Sequence, residues 1–272
     1  MKKKEIAGTE AVLRSHERWC MNACNRYIHR SAKTGNVWLL KNEAGNILAL
    51  IVYARQCLLP VLGGDQKNIP PPYFLRGFFG TVPIHSLQGR EKDVLIMEAA
   101  LEKIGLYAEE KIDYDLMCID RPPSGFYTAC AGLVIRKPLN TDMNDLAALQ
   151  AGYEQEEVLP AAADFNAAVS RLNMEQIFSK EQMLVAELDG RVIGKINTNA
   201  ATFTRYQVGG VYVLPEYRGR GIARRMAGEF ITSLVAQGRG ISLFVKKSNL
   251  AARRVYRRIG FETLGNYRIN YH

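Results

Sequence analysis

The chain of 272 residues has no run of eighteen apolar residues, which excludes a transmembrane helix of ordinary length. No apolar core follows the start Met1-Lys-Lys-Lys-Glu5, so no secretory signal is expected there and the chain reads as cytoplasmic. Cysteines are few and odd in number (Cys20, Cys24, Cys57, Cys118 and Cys130), and none forms a Cys-x-x-Cys pair. That argues against a disulfide framework and for reduced, buried thiols. His16, Cys20 and Cys24 share a helical face at spacings of four, but no carboxylate or further Cys pair nearby completes four ligands. No metal site is predicted.

What the chain does hold is 47% hydrophobic residues and a length sufficient for two domains. Its net charge of +9 is unevenly spread. From Leu139 to Tyr217 five Lys and Arg face eleven Asp and Glu; from Arg218 to Arg258 eleven basic residues face Glu229 alone.

The stretch Gly209 to Arg225 straddles that change. Val211-Tyr-Val-Leu214 has the β-branched and aromatic content of a short strand. Pro215 ends it, having no N–H for a ladder. Gly219 and Gly221 allow a tight turn, and from Ile222 a helical pattern places Met226, Phe230, Ile231, Leu234 and Val235 on one side. A strand, a glycine turn and a helix start present unpaired N–H groups and the positive end of a helix dipole, a site for phosphate oxygens. Two phosphate motifs are missing. A P-loop needs Lys and Ser or Thr where Ile222 and Ala223 stand, and the dinucleotide fingerprint needs a third glycine where Arg224 stands.

Arg218, Gly221 and Ala223 instead fit the pattern Arg/Gln-x-x-Gly-x-Gly/Ala. After the buried-type strand Ile241-Ser-Leu-Phe-Val245, residues Asn249, Ala252, Tyr256, Gly260 and Phe261 fit Asn-x-x-Ala-x-x-x-Tyr-x-x-x-Gly-Phe. With these two motifs the second half of the chain resembles the GNAT N-acetyltransferases. The resemblance implies an α/β (α+β) fold, a mixed and mostly antiparallel sheet with flanking helices, and acetyl-CoA as co-substrate without a metal. It also gives the basic helices a partner: the pyrophosphate and 3′-phosphate of coenzyme A rather than nucleic acid.

The order hairpin, strand, loop, helix, strand occurs twice. The first copy runs through Val37–Leu40, Ile47–Arg55, Tyr73–Phe79, Gly80–Gly89, Glu91–Leu106 and Asp115–Ile119. A helix over residues 9–31 precedes it, with Val12, Trp19, Ala23 and Tyr27 on one stripe. The second copy runs through Met183–Leu188, Val192–Asn197, Tyr206–Leu214, the helix after Gly221 and Ile241–Val245. Tandem GNAT-like domains are therefore expected: residues 1–137, degenerate because Gly80–Gly89 lacks the loop motif, and residues 138–272, which hold the acyl-CoA site. The boundary is placed near Pro138, before a helix capped by Thr141 or Asp142.

By resemblance, the backbone of Val211, Tyr212 and Val213 would hold the pantetheine arm and serve the oxyanion. Arg218, Gly219, Arg220, Gly221, Ile222, Ala223 and Arg224 would receive the pyrophosphate. Asn249 would hydrogen-bond the cofactor or simply cap its helix. Tyr256 would protonate the departing sulfur, unless it belongs to the apolar stripe of Ala252, Val255 and Ile259. No acid lies between Ile196 and Leu214 to act as base and Glu216 follows the strand, so a water relay or capture of neutral amine stands level with a direct base. The acidic segment Tyr153-Glu-Gln-Glu-Glu157 suits a cationic acceptor or is a solvated turn. The expected function is transfer of an acetyl group to a primary amine of a small molecule or peptide, by direct attack in a ternary complex. The alternative is a non-catalytic acyl-CoA sensor. No nucleic acid or membrane partner is expected, and a homodimer is left open.

Overall fold

The structure is a computed structural model that describes residues 3–29, 37–63, 82–127, 130–160 and 164–272. Its contacts divide the chain into two units, Met1–Leu116 with Leu264–His272, and Met117–Thr263. Strand pairing explains why this division does not fall at 137/138. Residues 133–136 pair with the hairpin of the second unit, and the chain's last residues return to pair in the first.

The first unit opens with α1 (Lys3–Ser15) and α2 (Met21–Ile28), so the single helix expected over 9–31 is corrected to two. The break at 16–20 turns Leu13, Met21 and Cys24 into the same interior, each with no exposed surface. The Cys20 and Cys24 thiols both point at the Leu13 carbonyl. Strand β1 (Val37–Lys41) pairs antiparallel with β2 (Ile47–Ala54), and β2 with β3 (Cys57–Val61). Strand β4 (Ser86–Arg90) runs parallel to β3 and leads directly into α3 (Glu91–Glu102), followed by β5 (Glu110–Ile119).

The loop expected over Gly80–Gly89 is thus a strand from Ser86, held by its ladders. The strand expected at Tyr73–Phe79, Gly64 and the Pro70–Pro72 run lie outside the described residues. The strand order is β1-β2-β3-β4-β11-β5, where β11 is Glu262–Tyr271. Leu58, Leu87, Val94, Met97 and Leu101 form its core.

In the second unit β6 (Leu133–Arg136) precedes α4 (Met143–Tyr153), a π-helical turn (Glu154–Val158) and α5 (Ala167–Lys180). Asp142 does not cap α4. Its carboxylate accepts from the Leu139 amide at 2.7 Å and from Arg136, whose guanidinium also reaches Glu187. That guanidinium holds the Asp142 carboxyl below its ordinary value.

Strands β7 (Met183–Leu188), β8 (Arg191–Ala201) and β9 (Arg205–Val213) form an antiparallel meander. The β7–β8 turn places Asp189 and Gly190 at φ 50° and 80°, the conformation a two-residue hairpin turn requires. Helix α6 (Ile222–Val235), β10 (Gly240–Lys246) and α7 (Leu250–Arg258) follow, giving the order β10-β9-β8-β7-β6. Met226, Phe230, Ile231 and Leu234 on α6 pack onto Ile193, Ile196, Val208 and Leu243. Each contributes about 1.5–3 kcal/mol of burial.

One irregularity positions the site. Parallel β9 and β10 pair only through Arg205–Gly240, Tyr206–Ile241 and Gln207–Ser242, although both strands run on, to Val213 and Lys246. From there β9 is without β10 as a ladder partner.

Candidate active site

The open side of β9 leads, past Pro215, to the glycine turn. Gly219 and Gly221 have φ 81° and 77°, which only glycine adopts without strain, and Gly221 is the residue from which α6 starts. The amides from Gly219 to Arg224 donate to no backbone carbonyl among the described residues. Arg224 Nε is buried and has no hydrogen-bond partner among them either. A run of free donors at a helix start fits an anionic pyrophosphate.

Arg218 lies outside that run. Its Nε donates to the Val213 carbonyl at 2.9 Å, its Nη2 pairs with Glu156, and its guanidinium lies over the Tyr212 ring. The Tyr212 hydroxyl also donates to Glu156, at 2.6 Å, through space left by Gly152, where a Cβ would stand 2.5 Å from that oxygen. Burial and the Glu156 carboxylate push the Tyr212 hydroxyl up to about 12.

Asn249 caps α7 by accepting from the Ala252 amide at 2.9 Å, while its Nδ2 donates to Glu157 at 2.8 Å. Two residues of the sequence motifs are therefore held by adjacent carboxylates of one π-helical turn, a connection sequence reasoning missed.

Tyr256 is 7% exposed and meets Phe261 edge-on, with ring centroids 5.6 Å apart. Burial, then the nearby Tyr153 and Glu157, push its hydroxyl well above the ordinary tyrosine value, so it keeps its proton at neutral pH. It belongs to the apolar core as well as to the motif.

Val211 and Val213 lie on the part of β9 beyond its last pair with β10, and Val213 also pairs with Gly194 of β8. Sequence reasoning also passed over Lys195, and named Tyr153 only as the start of the acidic segment. Lys195 has no exposed surface, lies 5.1 Å from the Tyr153 ring centroid, and is drawn down to about 7 by burial. The consecutive glycines at 209 and 210, inside a strand, were the available signal of a close approach. Among the described residues no group of three His, Cys, Asp or Glu could hold a metal, and no helix is long and apolar enough to cross a membrane.

Two parallel strands thus part, with a turn of free amides beyond the end of one. Residues 146–261 match the model of the acetyltransferase (GNAT) family, and this part of the chain is a GNAT domain. An uncharacterised N-acetyltransferase of Archaeoglobus fulgidus is 34% identical over 84 residues, covering 28% of this chain and 57% of its own length. An uncharacterised protein of Mycobacterium leprae is 42% identical over 60 residues, 22% of this chain and 16% of its own length. The chain thus spans 57% and 16% of these two curated relatives.

Two solved structures share the fold. A GCN5-related N-acetyltransferase from Kribbella flavida has a TM-score of 0.59 at 13% identity, over 93% of this chain and 95% of that one. Another, from Sphaerobacter thermophilus, has 0.59 at 16% identity, over 96% and 91%.

Proposed function

We propose that the chain is an N-acyltransferase that moves an acetyl group from acetyl-CoA to a primary amine of a small molecule or peptide, by direct attack in a ternary complex. The observation that carries this reading is the early end of the β9–β10 ladder, with free amides at Gly219–Arg224 beyond it. The backbone of Val211–Val213, which β10 leaves free on that side, holds the pantetheine arm and the thioester carbonyl, and a cradle of those amides holds the pyrophosphate. Tyr256 retains its proton and donates it to the departing sulfur. In this reading the carboxylates of Glu154, Glu156 and Glu157 favour a cationic amine.

The first unit, in this reading, is a degenerate copy that binds no acyl-CoA. A sensor without turnover is the second reading, favoured by the deep burial of Tyr256 and its raised pKa. An amine panel with acetyl-CoA, followed by release of free thiol, separates the two. Acetylation of one amine class supports the enzyme; tight acetyl-CoA binding with no turnover on any amine supports the sensor.

A further inference from the structure

Lys195 stands in the middle of β8, where every residue from Val192 to Thr198 is buried. Strand alternation therefore gives it no route to water. Its Nζ donates to Asn197 Oδ1 at 3.1 Å and to the Gly210 carbonyl at 3.0 Å. The opposite strand is deformed at this point. Gly209 pairs with Asn197 and Tyr212 with Lys195, so Gly210 and Val211 both stand opposite Ile196 in a bulge.

Gly210 has φ 58°, and a Cβ there would lie 2.1 Å from Asn197 Oδ1 and 2.8 Å from Lys195 Nζ. The glycine is needed for both the conformation and the lysine's approach. Its backbone hydrogen-bonds Tyr153 as well, and Tyr153 is close enough to Tyr256 to influence it electrostatically. Both polar groups of the Gly210 backbone thus engage with their surroundings, at the residue before the stretch Val211–Val213 that has no β10 partner.

We infer that Lys195 is a positioning residue of the acyl-transfer step: by holding the Gly210 carbonyl in the bulge it sets the path of the Val211–Val213 backbone. This rests on the acyltransferase reading above. A bulge of this kind needs only its glycine, and a well-packed apolar side chain at 195 would avoid the desolvation of an ammonium. The costly group stands beside the backbone that acts, as strained or perturbed groups do at functional sites.

The hold is charge-assisted while the ammonium is protonated and weakens on deprotonation. The groups that face it are Tyr153 from α4, Glu154 from the π-helical turn and its register partner Tyr212 on β9. Its register partner on β7, Val185, carries no charge.

The test uses the full chain and Lys195→Met. Backbone amide shifts of Gly210–Val213 are followed by NMR from pH ~5.5 to ~9, and kcat, KM and acetyl-CoA affinity are measured over the same range. The wild type is expected to show these amides titrating together near neutrality, with an inflection in kcat at the same pH. The variant is expected to lose both, to lose ~10- to 100-fold in kcat, and to bind acetyl-CoA within ~3-fold of wild type.

A folded variant with wild-type kcat and pH profile overturns the inference. So do wild-type amides that do not move, which decides the matter even if the variant fails to fold. Wild type that binds acetyl-CoA but acetylates no amine overturns the acyltransferase reading instead. The amide titration then still supports or overturns the hold of Lys195 on the bulge.

Discussion

Two of the strand-to-helix junctions, β4 to α3 and β9 to α6, end differently. At the first, α3 begins at Glu91 directly after β4, and its opening turn carries Glu91 and Asp93. Asp93 is 3% exposed, and Glu91 accepts from Asn266 at 2.8 Å beside Arg268. At the second, eight residues (214–221) intervene, two glycines take positive φ, and no acid stands in the first turn of α6. One helix start carries carboxylates at its positive dipole end, while the other has none there. Under the proposed function, a few side chains decide which junction binds phosphate.

The sharpest test of that contrast is stoichiometry. Titration calorimetry should give one acetyl-CoA per chain, and Gly221→Val should abolish the heat. A branched residue at φ 77° is strained and displaces the amides beside it. Loss of two charge-assisted hydrogen bonds weakens affinity by ~10³-fold. Two equivalent sites, or a folded variant with unchanged affinity, would erase the distinction between the junctions.

Chemistry should separate from binding within the second unit. Tyr256→Phe keeps the edge-on contact with Phe261 and removes only the hydroxyl, so turnover should fall by ~10²-fold while acetyl-CoA affinity holds. Wild-type turnover in the variant would leave Tyr256 a core residue.

Much of the second junction was legible because its determinants are local. Pro215 cannot continue a ladder, Gly219 and Gly221 tolerate positive φ, and Asn249 caps the helix that follows it; each acts within a few residues. What long-range pairing decides was not legible. The bulge opposite Lys195 depends on β8 and β9 in register, and the holds of Glu156 on Arg218 and of Glu157 on Asn249 span 62 and 92 residues. The division at 116/117 is of the same kind, since the end of β11 returns to pair with β4. The helix over 9–31 failed for a related reason: one apolar stripe serves a straight helix or two that bend to bury it, and the sheet beneath selects between them.

Lys195 offers a second contrast, between a charge the fold buries and one it exposes. The folded state draws this lysine from 10.5 to about 7. Between those values the unfolded chain holds a proton that the folded chain lacks, so wild type gains stability as pH rises through the window. Below about 7 the folded state carries the buried charge and the penalty is complete. Lys195→Met has no such group. The difference in denaturant-measured stability should therefore shift toward wild type by about 2 kcal/mol from pH ~7 to pH ~9. A pH-independent difference would show that Lys195 keeps an ordinary pKa inside the fold.

The smallest effect concerns the residue that ties the acidic turn to the phosphate loop. Glu156 pairs with Arg218 at 2.9 Å, but both side chains are close to half exposed, at 41% and 44%. Such a pair contributes less than about 1 kcal/mol, so Glu156→Gln should leave the melting temperature nearly unchanged. Its consequence is electrostatic. The first junction keeps carboxylates at its helix start, whereas the second has Glu156 beside it on the guanidinium of Arg218. Removing that charge raises the local potential where the cradle waits, and leaves Arg218 Nε on the Val213 carbonyl. Acetyl-CoA should bind ~2- to 5-fold more tightly at low salt, with the gain shrinking as salt screens it. Weaker binding would mean that Glu156 organises the loop, through Arg218 and Tyr212, more than it competes with the phosphates, and that the second junction also needs a carboxylate.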